Sequence, residues 1–400
     1  MINLKLILSI GVLSMIGVSY ANDVVNTKST QHILNENIQQ YYNQYKDAEY
    51  FSGVGLAVGI KNKPIESVYI GNESHQPNSQ KVDENSLFQI GSITKSYLAA
   101  IVLKSKDDGI TLTSTVGEFF PEYQKWGSIS VEKLLNMSSG LPNYSDSPTF
   151  NYTDTKDLAY HWKAKELINI VYPKAQFNPP LKGGYYYSNT GYLLTGLAVE
   201  DKTGQSLQAL ILKDIIKPLN LKYTYYPLPD LKIAKEQALV HGYGYNQYDN
   251  PELVGVDIYN NNLSWAGAAG AVVSNAVDIV HWVRALFIDR SFLNTQQRTA
   301  LTSLVSTKTG KKIKEVTKGD PGGFGLGVIQ SYREGLGRIW FYEGETLGFR
   351  SMYIYIPCNQ VIIAATINSA TNGENDHLHN LVVNVYQGLL KQDPSLNCQS

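Results

Sequence analysis

The chain has 400 residues, 43% of them hydrophobic, which is enough apolar material for one large domain or two lobes around a common core. Lysine and arginine number 34 against 35 aspartates and glutamates, so the formal charge of −1 gives no general electrostatic reason to bind nucleic acid or an anionic membrane. The composition also excludes a coiled coil and a disordered chain.

The first residues, MINLKLILSIGVLSMIGVSYAND, combine an early lysine, an apolar stretch shorter than the ~20 residues a spanning helix needs, and a small-x-small ending at Ser19-Tyr20-Ala21. This pattern predicts a signal peptide over residues 1–21 and an exported protein, periplasmic or secreted. No second apolar run is long enough to span a membrane, so no span is expected after signal removal.

Residues 29–45, STQHILNENIQQYYNQY, repeat apolar or aromatic positions every three to four residues and predict a helix. SGVGLAVGI and ESVYIGN read as a hairpin around Lys61-Asn62-Lys63-Pro64. A helix follows from Ser92 to Asp108, with Leu98, Ile101 and Val102 on its buried face and Gly109 ending it. From there to about residue 250 the chain reads as helix and loop. Asn275 to Asp278 resembles a capping box opening AVDIVHWVRAL. Strand-like runs return late in FGLGVIQSY, RIWFYEG, RSMYIYI and QVIIAATIN, before a last helix bearing Leu378, Leu381, Val382, Val385 and Leu389 on one face.

Strands near both ends with helices between them predict an α+β fold. It consists of one antiparallel sheet flanked by helices, built from about residues 22–91 and 255–395, with an inserted, mostly helical lobe over about 92–254. A cleft between two such lobes is a natural place for a site. Of the two cysteines, Cys358 and Cys398, neither has a histidine near it in sequence to suggest a thiol nucleophile, and export permits them to pair. His377 and His379 flank a leucine but lack a second ligand pair of metal-site spacing, and PGGFGLG lacks the order of a phosphate loop.

FQIGSITKSYLAA sets Ser92 and Lys95 one helical turn apart, on one face. A serine hydroxyl is a poor nucleophile until its proton is taken, and a lysine kept neutral by burial can take it. The helix start also presents the Ser92 N–H to a developing oxyanion. An isolated S-x-x-K is common on solvated surfaces. A second element, GGYYYSNTGY, adds Tyr187 and Asn189 as a Tyr-x-Asn triplet: a phenol that can relay a proton and an amide that can hold a substrate amide.

With these motifs in order, the chain resembles the serine penicillin-recognising hydrolases, the branch of class C β-lactamases, D-alanyl-D-alanine carboxypeptidases and related esterases. VEKLLNMSSGLPNY, YYYSNTGYLLTGLAVEDKTGQSL, IIKPLNL, AGAVVSNAVDIVHW and GETLGFRS extend the similarity along nearly all of the chain beyond residue 21. The resemblance implies Ser92 as acylated nucleophile, Lys95 as its proton partner, Tyr187 as second proton-handling group and Asn189 as ligand of substrate and lysine. It also implies an oxyanion hole from the N–H groups of Ser92 and Glu345, and neither metal nor organic cofactor.

The family's third triplet, Lys/His-x-Gly, is here Tyr342-Glu343-Gly344. Gly344 lets the strand approach a substrate closely. The basic residue that would bind a substrate carboxylate and support tyrosine acidity is replaced by Tyr342; Arg350 either supplies the missing positive charge or is a solvated or salt-bridged strand residue. The first reading is therefore an acyl-enzyme hydrolase on D-alanyl-D-alanine-type peptides or β-lactams, with peptidoglycan as implied partner. An esterase is second, and a non-catalytic peptidoglycan- or partner-binding relative third.

Overall fold

The computed structural model describes residues 29–173, 184–229, 232–236 and 238–398; residues 1–21, where a signal peptide is expected, lie outside these. Nine strands form one sheet. In chain order they are β1 (Gly53–Gly59), β2 (Glu66–Gly71), β3 (Leu304–Ser306), β4 (Lys312–Ile313), β5 (Gly322–Phe324), β6 (Ile329–Arg333), β7 (Gly337–Thr346), β8 (Phe349–Ile356) and β9 (Val361–Ile367). Their spatial order is β2-β1-β9-β8-β7-β6-β5-β3-β4, every pairing antiparallel, so the N-terminal hairpin docks on the late strands as the apolar runs predict.

Both faces of the central strands are buried, which is why β1, β8 and β9 read as nearly continuous apolar runs rather than alternating ones. One face carries Val54, Leu56, Val58, Ile354 and Ile363 against helix α1 (Thr30–Tyr45) and the last helix, which supplies Leu381, Val382 and Val385. The other face carries Ala57, Ile362 and Ala364 against Ile279, Val280 and Val283 of the helix Ala276–Phe287. Each fully buried leucine, isoleucine or valine contributes on the order of 1.5–3 kcal/mol, so the sheet is a stiff platform for what lies at its edge.

Two local expectations are refined. The segment from Ser92 does not begin as an α-helix: Gly91–Ile93 forms a 3-10 turn, α2 runs Thr94–Lys104, and a second 3-10 turn ends at Gly109. The Asn275 cap is half a capping box. Its Oδ1 accepts from Asp278 N at 2.9 Å, whereas the Asp278 carboxylate turns to accept from Tyr223 N and Thr224 Oγ1.

Cys358 and Cys398 form a disulfide that ties the C-terminal tail to the β8–β9 turn. It closes a loop of 40 residues, worth about 4 kcal/mol in the chain-entropy model, less any strain. The double substitution Cys358→Ser/Cys398→Ser should lower the unfolding free energy by nearly that amount in denaturant titration. Two titratable thiols in the oxidised, denatured protein would contradict the bond.

Candidate active site

The 3-10 turn and α2 bring Ser92 and Lys95 together at the inner edge of the sheet. Lys95 Nζ donates to Ser92 Oγ at 2.9 Å and to the Ala269 carbonyl at 2.8 Å, while Ser92 Oγ and Tyr187 Oη share a hydrogen bond of 2.7 Å. The lysine is fully buried. It lies 4.9 Å from the centre of the Tyr187 ring and 5.3 Å from that of Tyr192. Burial therefore drives its pKa well below the ordinary lysine value. Burial also pushes the Tyr187 hydroxyl up to about 12, against a smaller opposite effect of its hydrogen bond to Ser92. At neutral pH this geometry pairs a depressed amine with a protonated phenol.

The Tyr-x-Asn triplet is seated by the loop Met137–Tyr144, which the sequence reading did not connect to it. Tyr186 N donates to Met137 O, Ser188 Oγ and Thr190 Oγ1 donate to Pro142 O, and Asn189 N donates to Asn143 Oδ1. Asn189 opens the helix α3 (Asn189–Thr203) and its Nδ2 donates to Ser145 at 3.1 Å. Its Oδ1 is buried with no partner among the described residues. Lys95 uses Ala269 O rather than Asn189, so the expected lysine–asparagine contact is not made.

Two glycines set how closely β7 meets the nucleophile. Gly91 has φ +48°, and a Cβ there would stand 2.5 Å from the Glu345 backbone nitrogen; a Cβ on Gly344 would stand 1.9 Å from the Ile90 carbonyl oxygen. Ser351 Oγ adds a hydrogen bond to the same carbonyl at 2.9 Å. The Glu345 N–H thus lies beside the Ser92 turn, where the resemblance puts half of an oxyanion hole. Gly344→Ala must push strand and turn apart. It should cost on the order of a hundredfold in kcat with the protein still folded, measured against an activated ester.

Among the described residues only Gly337–Phe341 of β7 pairs with β6, which leaves Tyr342–Thr346 without a strand partner on that side. Tyr342 is buried beside Tyr187. Its hydroxyl makes no hydrogen bond of good geometry among the described residues, yet lies near enough to Tyr187 to affect its ionisation. The pleat turns Glu343 and Glu345 to the opposite face, shared with their register partners Met352 and Arg350. Burial, with the Asp376 charge, pushes Glu343 up to about 7 and Glu345 up to about 8. Both keep open surface, where water offsets part of that push.

Arg350 does not replace the missing base. It is buried, and all three guanidinium nitrogens are taken: Nε by the Ser369 carbonyl at 2.9 Å, one terminal nitrogen by Glu49 at 2.7 Å, the other by Asp376 at 2.6 Å. His377 joins the same cluster through Glu49, Nδ1 to Oε1 2.9 Å. Among the described residues no group of three or more His, Cys, Asp or Glu is arranged to hold a metal, and no helix is long and apolar enough to cross a membrane.

The Beta-lactamase family model matches residues 38–387. Penicillin-binding protein 4* of Bacillus subtilis is 25% identical over 288 residues, which is 70% of this chain and 60% of that protein; the chain spans about three-fifths of that relative's length and less of several others. Among solved structures, a D-amino acid amidase from Ochrobactrum anthropi complexed with L-phenylalanine amide superposes with a TM-score of 0.72 at 23% identity, covering 90% of this chain and 97% of that one. A class C β-lactamase superposes at 0.69 with 16% identity, covering 92% and 99%. These likenesses share the sheet flanked by helices described above, and with a family match over most of its length this chain belongs to the Beta-lactamase family.

Proposed function

We propose that this protein is a serine acyl hydrolase that works through an acyl-enzyme on Ser92. The observation that carries the reading is the meeting of Ser92 Oγ with a buried Lys95 amine at 2.9 Å and the Tyr187 phenol at 2.7 Å. Neutral Lys95 takes the Ser92 proton as Oγ attacks the acyl carbon. The carbonyl oxygen gains charge beside the N–H groups of Ser92 and Glu345. Tyr187 gives its proton to the leaving nitrogen or oxygen and regains one from Lys95. Water then enters by the reverse relay and frees the acid and Ser92.

Resemblance favours D-alanyl-D-alanine-type peptides and β-lactams. The site itself turns that choice toward amides and esters whose leaving side carries no carboxylate, because Tyr342 is neutral and Arg350 is bound elsewhere. Export to the periplasm or medium is part of the proposal and rests on the N-terminal sequence and the cysteine pair.

The test is kcat/KM on matched amides and esters with and without a leaving-side carboxylate. Equal or better turnover of the neutral member is expected; a strong preference for the carboxylate would overturn the substrate reading. No turnover and no adduct with any member favours a non-catalytic binding protein.

A further inference from the structure

The Arg350 cluster lies on the far face of the sheet from Ser92, yet its backbone is one residue from the contact that holds the nucleophile's turn. Arg350 pairs in register with Glu345, the proposed oxyanion residue, and its neighbour Ser351 donates to Ile90, two residues before Ser92. The guanidinium gathers three separate parts of the chain onto β8. Glu49 follows α1, and its Oε2 also accepts from Tyr41 Oη on that helix at 2.8 Å. Its Oε1 accepts from the His377 backbone at 3.1 Å, at the start of the last helix. Ser369 follows β9, receives Arg350 Nε on its carbonyl, and donates its own hydroxyl to the Glu49 carbonyl. Asp376 closes the outer side.

A buried charge is costly unless every donor is met, and here every guanidinium nitrogen is met. An apolar side chain could fill the same volume. What it could not do is fix one direction and one register for β8 against α1 and the last helix. The network anchors β8 at the register partner of Glu345, whose backbone nitrogen lies beside the Ser92 turn, and an oxyanion hole loses force when a donor moves by a fraction of an ångström.

We propose that Arg350, held by Glu49, is a positioning residue for the oxyanion side of the site. The inference rests on the acyl-hydrolase reading above. The side chain touches no reacting atom; it acts through the backbone of the β7–β8 pair.

The test compares the native protein with Glu49→Gln, which keeps shape and one neutral acceptor, and Arg350→Lys, which keeps charge but cannot span three partners. Each is measured per folded molecule, with Tm recorded, on an oxoester and its thionoester. Sulfur is a poor occupant of an oxyanion hole, so the oxo-to-thiono rate ratio reports how well the donors are placed. The expected result is a tenfold to hundredfold fall in kcat with KM within about twofold, and a ratio lowered by a similar factor. Should one variant fail to fold, the other carries the comparison. If both fold and lose only Tm, with kcat and ratio unchanged, Arg350 is a structural brace and the proposal falls. An inactive, unlabelled native protein would instead remove the acyl-hydrolase reading, and this inference with it.

Discussion

Ser92→Ala should abolish turnover of an activated ester, with a loss on the order of a thousandfold or more, and should abolish covalent labelling by a serine-reactive phosphonate. Only one hydroxyl leaves the site, at the end of two hydrogen bonds, so circular dichroism and Tm should be nearly unchanged. Lys95→Ala should slow labelling by about a hundredfold or more, because proton removal from Ser92 is lost. The pH profile separates the two roles. Lys95 must be neutral to act, and burial depresses its pKa, so kcat/KM should fall as pH drops through a value well below that of a free lysine. Tyr187, raised to about 12, stays protonated across the same range and sets no alkaline limb below that pH. An acid limb unmoved in Lys95→Arg or Lys95→Ala would show that another group is the base.

Tyr342→Lys should raise kcat/KM for a carboxylate-bearing substrate by about tenfold to a hundredfold relative to a neutral ester of equal reactivity. One well-placed charged hydrogen bond is worth on the order of 1–3 kcal/mol, and among the described residues Tyr342 is neutral and Arg350 is bound elsewhere. The position is buried beside Tyr187, so an uncompensated ammonium there would be costly; a bound carboxylate supplies the counter-charge. The same ammonium should lower the Tyr187 pKa from about 12, which a spectrophotometric tyrosine titration reads. Tyr342→Phe is the control: its hydroxyl has no well-formed partner among the described residues, and its loss should change the neutral ester by less than about threefold. A carboxylate-to-ester ratio that does not move in Tyr342→Lys would show that this residue does not govern substrate choice.

Much of the site was legible because it rests on local spacing. Ser92 and Lys95 meet through one turn of helix, and a Gly-Gly pair marks the approach to Tyr187 and Asn189. The sheet was legible from apolar runs buried on both faces. What stayed hidden was carried by distance in sequence or by the backbone. Sequence could not choose between a substrate cation and a salt-bridged strand residue at Arg350, because its partner Glu49 stands 301 residues earlier. Ala269 meets Lys95 through a carbonyl, and Met137–Tyr144 seats the tyrosine through carbonyls and one asparagine, none of which has a signature in side-chain pattern. Strands β3 and β4 are three and two residues long, below the length at which period-two alternation is readable.

An acyl-enzyme on Ser92 is open to intact-mass measurement after rapid quenching with an activated ester, followed by peptide mapping. A single acyl adduct is expected, located on Ser92, formed within the burst and absent from Ser92→Ala. Turnover of the ester with no adduct at any quench time, or an adduct that maps to another residue and persists in Ser92→Ala, would contradict it.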